Sequence, residues 1–559
     1  MTRLAAVAFL IVLACSAHAR PPGCEVSART KSGTVCGLAR LADDGVTYAS
    51  FRGVPYAKQP VGELRFKELE PHDPWQYLDA KTEGPICYQT DVLYNKIINQ
   101  TNMKEACIHA NIHVPMKYLP RAGQLQGPGL PILVFIHGGG FAFGSGDADL
   151  HGPEYLVSKN VIVITFNYRL NVFGFLSLNT TEIPGNAGLR DMVTLLRWVQ
   201  DNAEAFGGDP SDVTLAGQSA GAAAAHLLTL SEAANGLFKR AILMSGTATS
   251  SFFSSSPVFA QYLSKQLLAI LGITSSDPAE IHRQLLAAPA EQLHHANAIL
   301  LENIGLTTFV PTVESRLPGV TTMVDDYPDI LIANGRGKTI PLLVGFTSSE
   351  CETFRNRFES FELLKKIEAN PAIIVPPKTL FMTPSKLHLE LSKKIDRTYY
   401  NGTINVDNFI KYCSEGFYEY AALKVAEERA EVGGADVFLY QFSYEGQNNV
   451  IKNMAKMNYT GAGHIEDLTY IFRVNSLIDS LPPSPNDVHM KDLMTDFFVN
   501  FMTCSKPICE DINCLWPAST GSQYEDIESP FSYQVTDISP RQRETIKFFD
   551  SISGKTGVK

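Results

Sequence analysis

The run of residues 217–221, with the sequence GQSAG, constrains the fold of this chain more than any other feature. It follows a mostly apolar run at 213–216 and precedes a series of strong helix formers at 222–230. A serine between two glycines in a sharp strand-to-helix turn stands above the edge of a sheet, because a Cβ at either flanking position would collide with its neighbours. The pattern therefore predicts a strand, a tight turn and a helix, with Ser219 as a candidate nucleophile.

A second glycine-rich segment, residues 137–141 with the sequence HGGGF, directly follows the apolar run at 131–136. Consecutive glycines leave backbone N–H groups uncovered, and such donors stabilise negative charge on a substrate oxygen by about 3 kcal/mol each. The N–H of Ala220, directly after the candidate nucleophile, belongs to the same kind of site. Because both motifs follow a strand, we predict an oxyanion-binding turn at 137–141 rather than a merely flexible loop.

A candidate base lies far along the chain from the serine. A serine hydroxyl is a weak nucleophile unless a base takes its proton and an acid orients that base. His464 lies in the glycine-bearing loop 461–467 and follows the serine in the chain, which is the order expected for a strand–turn–helix site. His137 is an alternative base, but it precedes the serine and suits the glycine-rich turn better.

The candidate acid follows the predicted strand at 341–346. A carboxylate just beyond the carboxyl end of a strand is where the acid of such a triad belongs. Glu350 and Glu352 both meet this condition, and the local pattern alone does not separate them.

These motifs resemble those of the type-B carboxylesterases, the carboxyl/cholinesterase family of α/β-hydrolases. The resemblance covers nearly all of the chain after its N-terminal segment, and the insect members, especially juvenile-hormone-esterase-like and antennal esterases of moths, are the most similar. The matching segments are residues 51–57, 64–66, 135–141, 186–191, 206–210, 217–221, 345–350 and 461–467.

The resemblance implies both a fold and a set of roles. The implied fold is an α/β-hydrolase, with a large, mostly parallel central sheet flanked by helices and with helical and loop insertions around an active-site gorge. The implied chemistry is ester hydrolysis through an acyl-enzyme, with no metal and no cofactor. The implied residues are the nucleophile Ser219, the acid Glu350, the base His464, the oxyanion donors Gly139, Gly140 and Ala220, and a structural ion pair between Arg65 and Glu105.

Two departures from the family pattern bear on the substrate. Most members carry glutamate where this chain has Gln218, so a cationic substrate loses an attractive carboxylate. Cholinesterases hold an ammonium group on a tryptophan, and the matching stretch at 88–106 contains none. We therefore expect neutral, lipophilic carboxylic esters: a hormone, pheromone, odorant or xenobiotic ester. Juvenile hormone itself is one alternative, and a catalytically inactive adhesion member is a remote one, because all three catalytic residue types are retained.

The alternation of predicted elements places the motifs in one unit. Apolar strand-like runs at 161–166, 213–216, 241–244, 342–345 and 437–440 alternate with helical patterns, which predicts a mostly parallel, helix-covered sheet. The candidate catalytic residues span this alternation, so we expect residues 20–559 to form a single domain. The long stretches at 247–342 and 351–435 should supply helices and loops around the mouth of the site.

The ten cysteines suit an oxidising compartment. The family resemblance implies a Cys87–Cys107 disulfide, whereas Cys24 and Cys36 flank a predicted hairpin and can pair across it. Cys351 adjoins the candidate acid and is expected to be reduced. The partners of the remaining cysteines stay open, and the five-residue spacings of the last three do not match usual zinc ligand pairs. These remaining cysteines are Cys413, Cys504, Cys509 and Cys514, and the tenth, Cys15, lies in the predicted signal segment.

The N-terminus indicates export. Residues 1–19 combine an early arginine, a short apolar stretch and an Ala-His-Ala site, which is typical of a cleaved signal peptide. We expect a secreted protein without stable membrane insertion. Four sequons are candidate glycosylation sites: Asn99, Asn179, Asn401 and Asn458.

Charge bears on the partners of the chain. The net charge is −11 and the basic residues form no patch, which disfavours nucleic acid as a partner. The expected partner is a small-molecule ester. The oligomeric state stays open.

Overall fold

The computed structural model describes residues 23–91, 93, 100–121, 127–304, 307–360, 362–476, 482–509 and 516–553. The predicted signal peptide, Asn99 and Cys514 lie outside these described residues. Every helix among these described residues is too short or too polar to cross a bilayer.

A mixed sheet of 13 strands forms the centre of the described chain. In chain order the strands are β1 Val26–Thr30, β2 Gly33–Leu41, β3 Thr47–Val54, β4 Tyr77–Asp79, β5 Ala110–Pro115, β6 Leu130–Ile136, β7 Ile162–Phe166, β8 Gly208–Gln218, β9 Arg240–Met244, β10 Leu342–Thr347, β11 Val437–Phe442, β12 Gln523–Ser529 and β13 Ser532–Asp537. Their spatial order is β1-β2-β3-β5-β7-β6-β8-β9-β10-β11-β12-β13, and β4 pairs with β2 off this path.

The centre of the sheet is parallel and its ends are antiparallel. Every neighbouring pair from β7 through β6, β8, β9, β10 and β11 to β12 is parallel. The pairs outside this run on the main path are antiparallel. The expected α/β sheet is thus confirmed, with the predicted parallel character confined to its central strands.

Helices flank this sheet along the described chain. Their bounds are α1 Glu154–Val157, α2 Asn171–Phe175, α3 Ala187–Asn202, α4 Ala220–Leu230, α5 Pro257–Ile270, α6 Pro278–Ala287, α7 Ala290–Ile304, α8 Pro328–Ala333, α9 Arg355–Ser360, α10 Leu363–Ala369, α11 Pro377–Met382, α12 Ser385–Ile395, α13 Val406–Cys413, α14 Tyr420–Glu431, α15 Val450–Met454, α16 Pro485–Cys504 and α17 Pro540–Ile552. Two π-helical turns, Asp396–Tyr400 and Ser414–Glu419, interrupt the helices between β10 and β11.

Both faces of the central strands are buried, which explains their continuous apolar sequences. Successive side chains of a strand point to opposite faces of the sheet. In β6, Val134 belongs to one hydrophobic core, whereas its neighbours Leu133 and Phe135 belong to a second core on the other face. A strand that is covered on both faces needs apolar residues at every position, as is usual for parallel sheets.

Two long insertions follow β9 and β10, as the sequence predicts. The segment between β9 and β10 contains α5 to α8, and the segment between β10 and β11 contains α9 to α14. They supply Phe252, Thr307 and Phe354 to the wall of a cavity at the carboxyl edge of the sheet. The insertions therefore shape the mouth of the site.

Four disulfides are present among the described cysteines: Cys24–Cys36, Cys87–Cys107, Cys351–Cys413 and Cys504–Cys509. The expectation that Cys351 is reduced is wrong, because its sulfur is bonded to that of Cys413. Cys413 is the last residue of α13, and the two cysteines are 62 residues apart in the chain. The tertiary packing of the second insertion brings them together, so no local sequence pattern predicts this disulfide.

Replacing Cys351 and Cys413 together by serine should lower the free energy of unfolding by about 4 kcal/mol, because this bridge closes a long loop in the unfolded chain. The matched control is the double replacement of Cys504 and Cys509 by serine. The disulfide between these two cysteines joins residues that are only 5 positions apart in the chain. That change should cost about 2 kcal/mol. Urea unfolding of both variants measures the difference, and an equal or larger loss in the control would contradict the assignment.

Candidate active site

Ser219 lies in the tight turn between β8, which ends at Gln218, and α4, which begins at Ala220. Its φ of 59° and ψ of −125° are dihedrals that residues other than glycine rarely adopt. The Ser219 N–H donates to the backbone oxygen of Met244 on β9 at 2.8 Å, and this bond fixes the turn against the sheet. The serine thus lies in the strand–turn–helix context that the sequence predicts.

The two glycines that flank the serine are required by crowding. A Cβ on Gly217 would lie 2.3 Å from the backbone of Gly221. A Cβ on Gly221 would lie 2.1 Å from the carbonyl oxygen of Ile136. A larger residue at 217 would push the start of α4 away from β8, and one at 221 would push it away from β6, so the GxSxG spacing follows from close backbone approach.

His464 and Glu350 form a buried, hydrogen-bonded pair in the site. His464 Nδ1 lies 2.6 Å from Glu350 Oε2, and both side chains are buried. The other carboxylate oxygen, Oε1, accepts a bond of 2.8 Å from the backbone N–H of Thr347 at the end of β10. Because a carboxylate accepts hydrogen bonds, this contact makes Nδ1 the donor and turns Nε2 to the opposite side of the ring.

Glu352, the other candidate acid, points elsewhere. Its carboxylate pairs with Arg355 three residues later, with Arg355 Nε at 2.8 Å from Glu352 Oε2. The structure therefore places Glu350, and not Glu352, against the histidine.

Aromatic rings surround the His464 imidazole. Tyr418 lies 4.9 Å and Phe354 lies 5.3 Å from it, measured between ring centroids. Burial, and then the nearby Glu350 carboxylate, raise the pKa of Tyr418 well above its usual value, so this phenol stays neutral. These rings exclude water from the His464–Glu350 pair and strengthen its electrostatic interaction.

Asp467 is a second buried carboxyl group near this pair, and the sequence reasoning gave it no role. Burial raises its pKa to about 7, although a bond of 2.8 Å from the Tyr440 hydroxyl favours the charged form. The neighbouring Glu350 raises the pKa further. The only sequence signal for this group was its place three residues after His464.

The predicted oxyanion segment turns sharply beside the serine. Gly139 and Gly140 have φ values of 103° and 63°. A Cβ on Gly139 would lie 2.0 Å from the carbonyl oxygen of Phe143. The Gly139 carbonyl accepts from the N–H groups of Ala142 and Phe143, which closes the turn. The third predicted donor, Ala220, is the first residue of α4 and is fully buried.

A narrow cavity at the carboxyl edge of the sheet brings these groups together. Ser219, His464, Gly139 and Gly140 all line it. Its apolar walls come from segments scattered along the chain, so sequence motifs did not reveal them: Leu93, Phe143, Phe252, Phe354 and Ile465. Among the lining residues that the structure describes, none is aspartate, glutamate, lysine or arginine.

Gln218 also lines the cavity and contacts the histidine directly. Its side-chain Nε2 lies 3.1 Å from His464 Nε2. The sequence marked this position only as a departure from the family pattern, and the contact depends on the tertiary fold.

His137, the alternative base, is a structural residue. Its Nδ1 lies 2.8 Å from the carbonyl oxygen of Gly138, and its ring stacks on Tyr168 with 4.5 Å between centroids. Burial lowers its pKa to about 4, so the ring is neutral near pH 7.

The remaining predicted residues lie away from the cavity. Arg65 forms an ion pair with Glu105, with Arg65 Nη2 at 2.7 Å from Glu105 Oε2. Arg65 Nη1 also donates to three carbonyl groups at the end of α6, those of Leu285, Leu286 and Ala288. The side chains of three sequon asparagines are exposed: Asn179, Asn401 and Asn458.

Comparisons with known proteins show the family of the chain. The Carboxylesterase family matches residues 25–546. The chain is 66% identical over 537 residues to a juvenile hormone esterase of Heliothis virescens, covering 95% of each chain. It is 31% identical over 509 residues to a juvenile hormone esterase of Tribolium castaneum, covering 86% of this chain and 83% of that one.

A solved structure extends the likeness to the fold. The crystal structure of juvenile hormone esterase from Manduca sexta, with OTFP covalently attached, superimposes with a TM-score of 0.91 and 56% sequence identity. The match covers 94% of this chain and 99% of that chain. The chain belongs to the carboxylesterase family and is a carboxylic ester hydrolase.

Proposed function

We propose that Ser219, His464 and Glu350 form a catalytic triad that hydrolyses neutral, lipophilic esters through an acyl-enzyme. The observation that carries the proposal is the convergence on one apolar cavity of Ser219, the two glycines of the oxyanion turn and a histidine bonded to a buried carboxylate. Each part alone is common in proteins, but together they match the nucleophile, base, acid and oxyanion donors of acyl transfer.

In the first half of the proposed reaction, His464 Nε2 takes the proton of Ser219 Oγ as that oxygen attacks the ester carbonyl carbon. Glu350 orients the ring and stabilises its positive charge. The N–H groups of Gly139, Gly140 and Ala220 stabilise the negative charge on the carbonyl oxygen. The alcohol then leaves with the proton from His464, and the acyl group stays on the serine.

In the second half, water replaces the alcohol. His464 Nε2 takes a proton from the water, whose oxygen attacks the acyl carbon, and the serine leaves with that proton. The carboxylic acid is released and the enzyme returns to its starting state. Every proton transfer in this cycle passes through one nitrogen, so access to His464 Nε2 governs both halves.

We propose juvenile hormone as the substrate. Two relatives that match over nearly the full chain, at 66% and 56% identity, are juvenile hormone esterases. The apolar cavity walls suit a neutral lipophilic ester, because such a molecule gains from leaving water and needs no charged partner.

We also propose that the protein is secreted and glycosylated, and that residues 20–559 form one domain. The four disulfides, which persist in oxidising compartments, support secretion. The exposed asparagines Asn179, Asn401 and Asn458 support glycosylation, and the fourth sequon, Asn99, lies outside the described residues. The sheet supports one domain, because it takes strands from Val26 to Asp537.

Replacing Ser219 by alanine should lower kcat/KM for a chromogenic acetate ester by at least about 10³-fold, because the nucleophile is lost while the fold is kept. The matched control is Ser211→Ala, an exposed serine on the same strand, which should keep wild-type activity. Release of the coloured alcohol measures both. Activity that survives in the Ser219 variant would assign the hydrolysis to another group.

A neutral ester should be preferred over a cationic isostere. We expect kcat/KM for 3,3-dimethylbutyl acetate to exceed that for acetylcholine by at least about tenfold, because an unpaired ammonium group loses its hydration in an apolar cavity. The two esters have nearly the same shape, so the ratio isolates charge. Equal rates would show that a carboxylate reaches the alcohol side of the bound ester.

Juvenile hormone should be hydrolysed with kcat/KM at least about tenfold above that of long-chain acetates and short aryl esters, because a matched pocket gains roughly 1–3 kcal/mol from a few added apolar contacts. Product acid is quantified by chromatography, with the Ser219→Ala variant as the blank. A short aryl ester with an equal or higher kcat/KM would favour clearance of xenobiotic esters instead.

A further inference from the structure

The side chain of Gln218 occupies the reactive nitrogen of the histidine. Gln218 is buried, and its Nε2 lies 3.1 Å from His464 Nε2. The opposite ring nitrogen, Nδ1, is bonded to Glu350 Oε2 at 2.6 Å. A neutral imidazole that donates from Nδ1 has a single lone pair to offer at Nε2, so the amide N–H of Gln218 donates to that lone pair.

The amide has a defined orientation. A Cβ placed on Gly138 would lie 2.6 Å from Gln218 Oε1, so the amide oxygen lies against the glycine-rich turn. The amide nitrogen is the atom beside the histidine, at 3.1 Å from His464 Nε2. Gly138 makes room for this arrangement, since any other residue there would push against Gln218 and the Ser219 Cβ, 3.0 Å away.

The same lone pair is needed by the nucleophile. In the proposed reaction Ser219 Oγ gives its proton to His464 Nε2, and Gln218 precedes Ser219 directly in the chain. One lone pair accepts one strong hydrogen bond, so the amide and the hydroxyl compete for it. If His464 Nε2 is protonated, its N–H and the Gln218 amide N–H become two donors in contact, unless the amide moves away.

We propose that Gln218 is a positioning residue that caps His464 Nε2 in the resting enzyme, keeps the imidazole neutral and gives way to Ser219 when an ester enters the cavity. This inference rests on the proposed triad. Glutamine suits this role because its amide can donate, whereas a carboxylate at the same place would attract the imidazolium and hold it protonated.

The other ionisable groups around the ring define its electrostatic background. Glu350 is bonded to it, Tyr418 lies against its face, and Asp467 and Glu466 lie on its own loop, with Asp467 buried beside the His464–Glu350 pair. None of these groups changes when residue 218 is replaced. Differences between variants at this position therefore report the contact with Nε2.

The test is the dependence of kcat/KM on pH, measured with a neutral chromogenic ester for wild type, Gln218→Met and Gln218→Glu. Methionine keeps the volume and removes the donor, so protonation of the ring becomes easier and the acid limb should move up by about 0.5–1 pH unit. Glutamate should move it up by about 1–2 units, because a carboxylate stabilises the imidazolium. The plateau kcat of each variant is recorded in the same experiment, so that a change confined to kcat can be told from a shift of the acid limb.

An unchanged acid limb in Gln218→Met, or a shift to lower pH, would overturn the inference. A fall in plateau kcat without any shift would also overturn it, because that result would indicate a packing role. If the methionine variant does not fold, the glutamate variant alone tests the inference. A shift of its acid limb to higher pH supports the contact between residue 218 and His464, and an unshifted acid limb refutes it.

Two controls separate this inference from the proposed function. Gln200→Met removes another amide, which donates to the carbonyls of Pro210 and Leu237 away from the cavity, and it should leave the pH profile unchanged. Ser219→Ala should be inactive at every pH. If that alanine variant retains activity, the triad proposal fails. If it is inactive but the acid limbs of the Gln218 variants do not shift as predicted, the triad proposal stands and the proposed role of Gln218 is refuted.

Discussion

The bond between His464 Nδ1 and Glu350 Oε2 is the interaction on which the site depends. It joins two loops whose residues are 114 positions apart in the chain, one after β10 and one after β11. Backbone bonds hold both partners, because Thr347 N–H donates to the Glu350 carboxylate and His464 N–H donates to the Glu350 carbonyl oxygen at 3.2 Å. A histidine fixed in this way presents Nε2 in one direction only, toward the cavity.

The parallel centre of the sheet makes that meeting possible. Ile136 at the end of β6 pairs with Gly217 of β8, Gln218 pairs with Met244 of β9, and Met244 pairs with Gly345 of β10. The carboxyl ends of four neighbouring strands are therefore level with one another. The glycine-rich turn at 137–141, Ser219 and Glu350 all follow these ends, which is why loops distant in sequence share one edge, as in other open α/β sheets.

Local sequence was sufficient where local crowding dictates the residue. Gly217 and Gly221 are required by contacts within a few ångströms, so their spacing announced the turn and the position of Ser219. The local sequence could not decide between Glu350 and Glu352, because the answer depends on which carboxylate turns toward His464. Family resemblance selected Glu350, and the structure supplies the physical reason, since Glu352 pairs with Arg355.

The contacts that the second insertion, between β10 and β11, makes at the site could not be predicted from the sequence. Cys413 and the π-helical turn Ser414–Glu419 follow one another directly, and together they bring three contacts to the site. Cys413 bonds to Cys351, Ser414 Oγ accepts from the Cys351 N–H at 2.9 Å, and Tyr418 lies on the His464 ring. A helical turn with an extra residue shifts every later side chain around the helix, so ordinary helical spacing would not have placed these residues together.

Glu350 and Asp467 are two buried carboxyl groups near His464, and the charge of Asp467 depends on pH. Asp467 binds its proton more tightly in the fold than in the unfolded chain, because its pKa rises from 3.8 to about 7. Ionising it in the fold is therefore penalised progressively between about pH 4 and 7, and stability falls over that range as the pH rises. Below pH 7 the Asp467 proton spares the site a second negative charge next to Glu350. Above pH 7 that charge is present and lies near the Glu350 carboxylate, which is why Glu350 contributes to raising the Asp467 pKa.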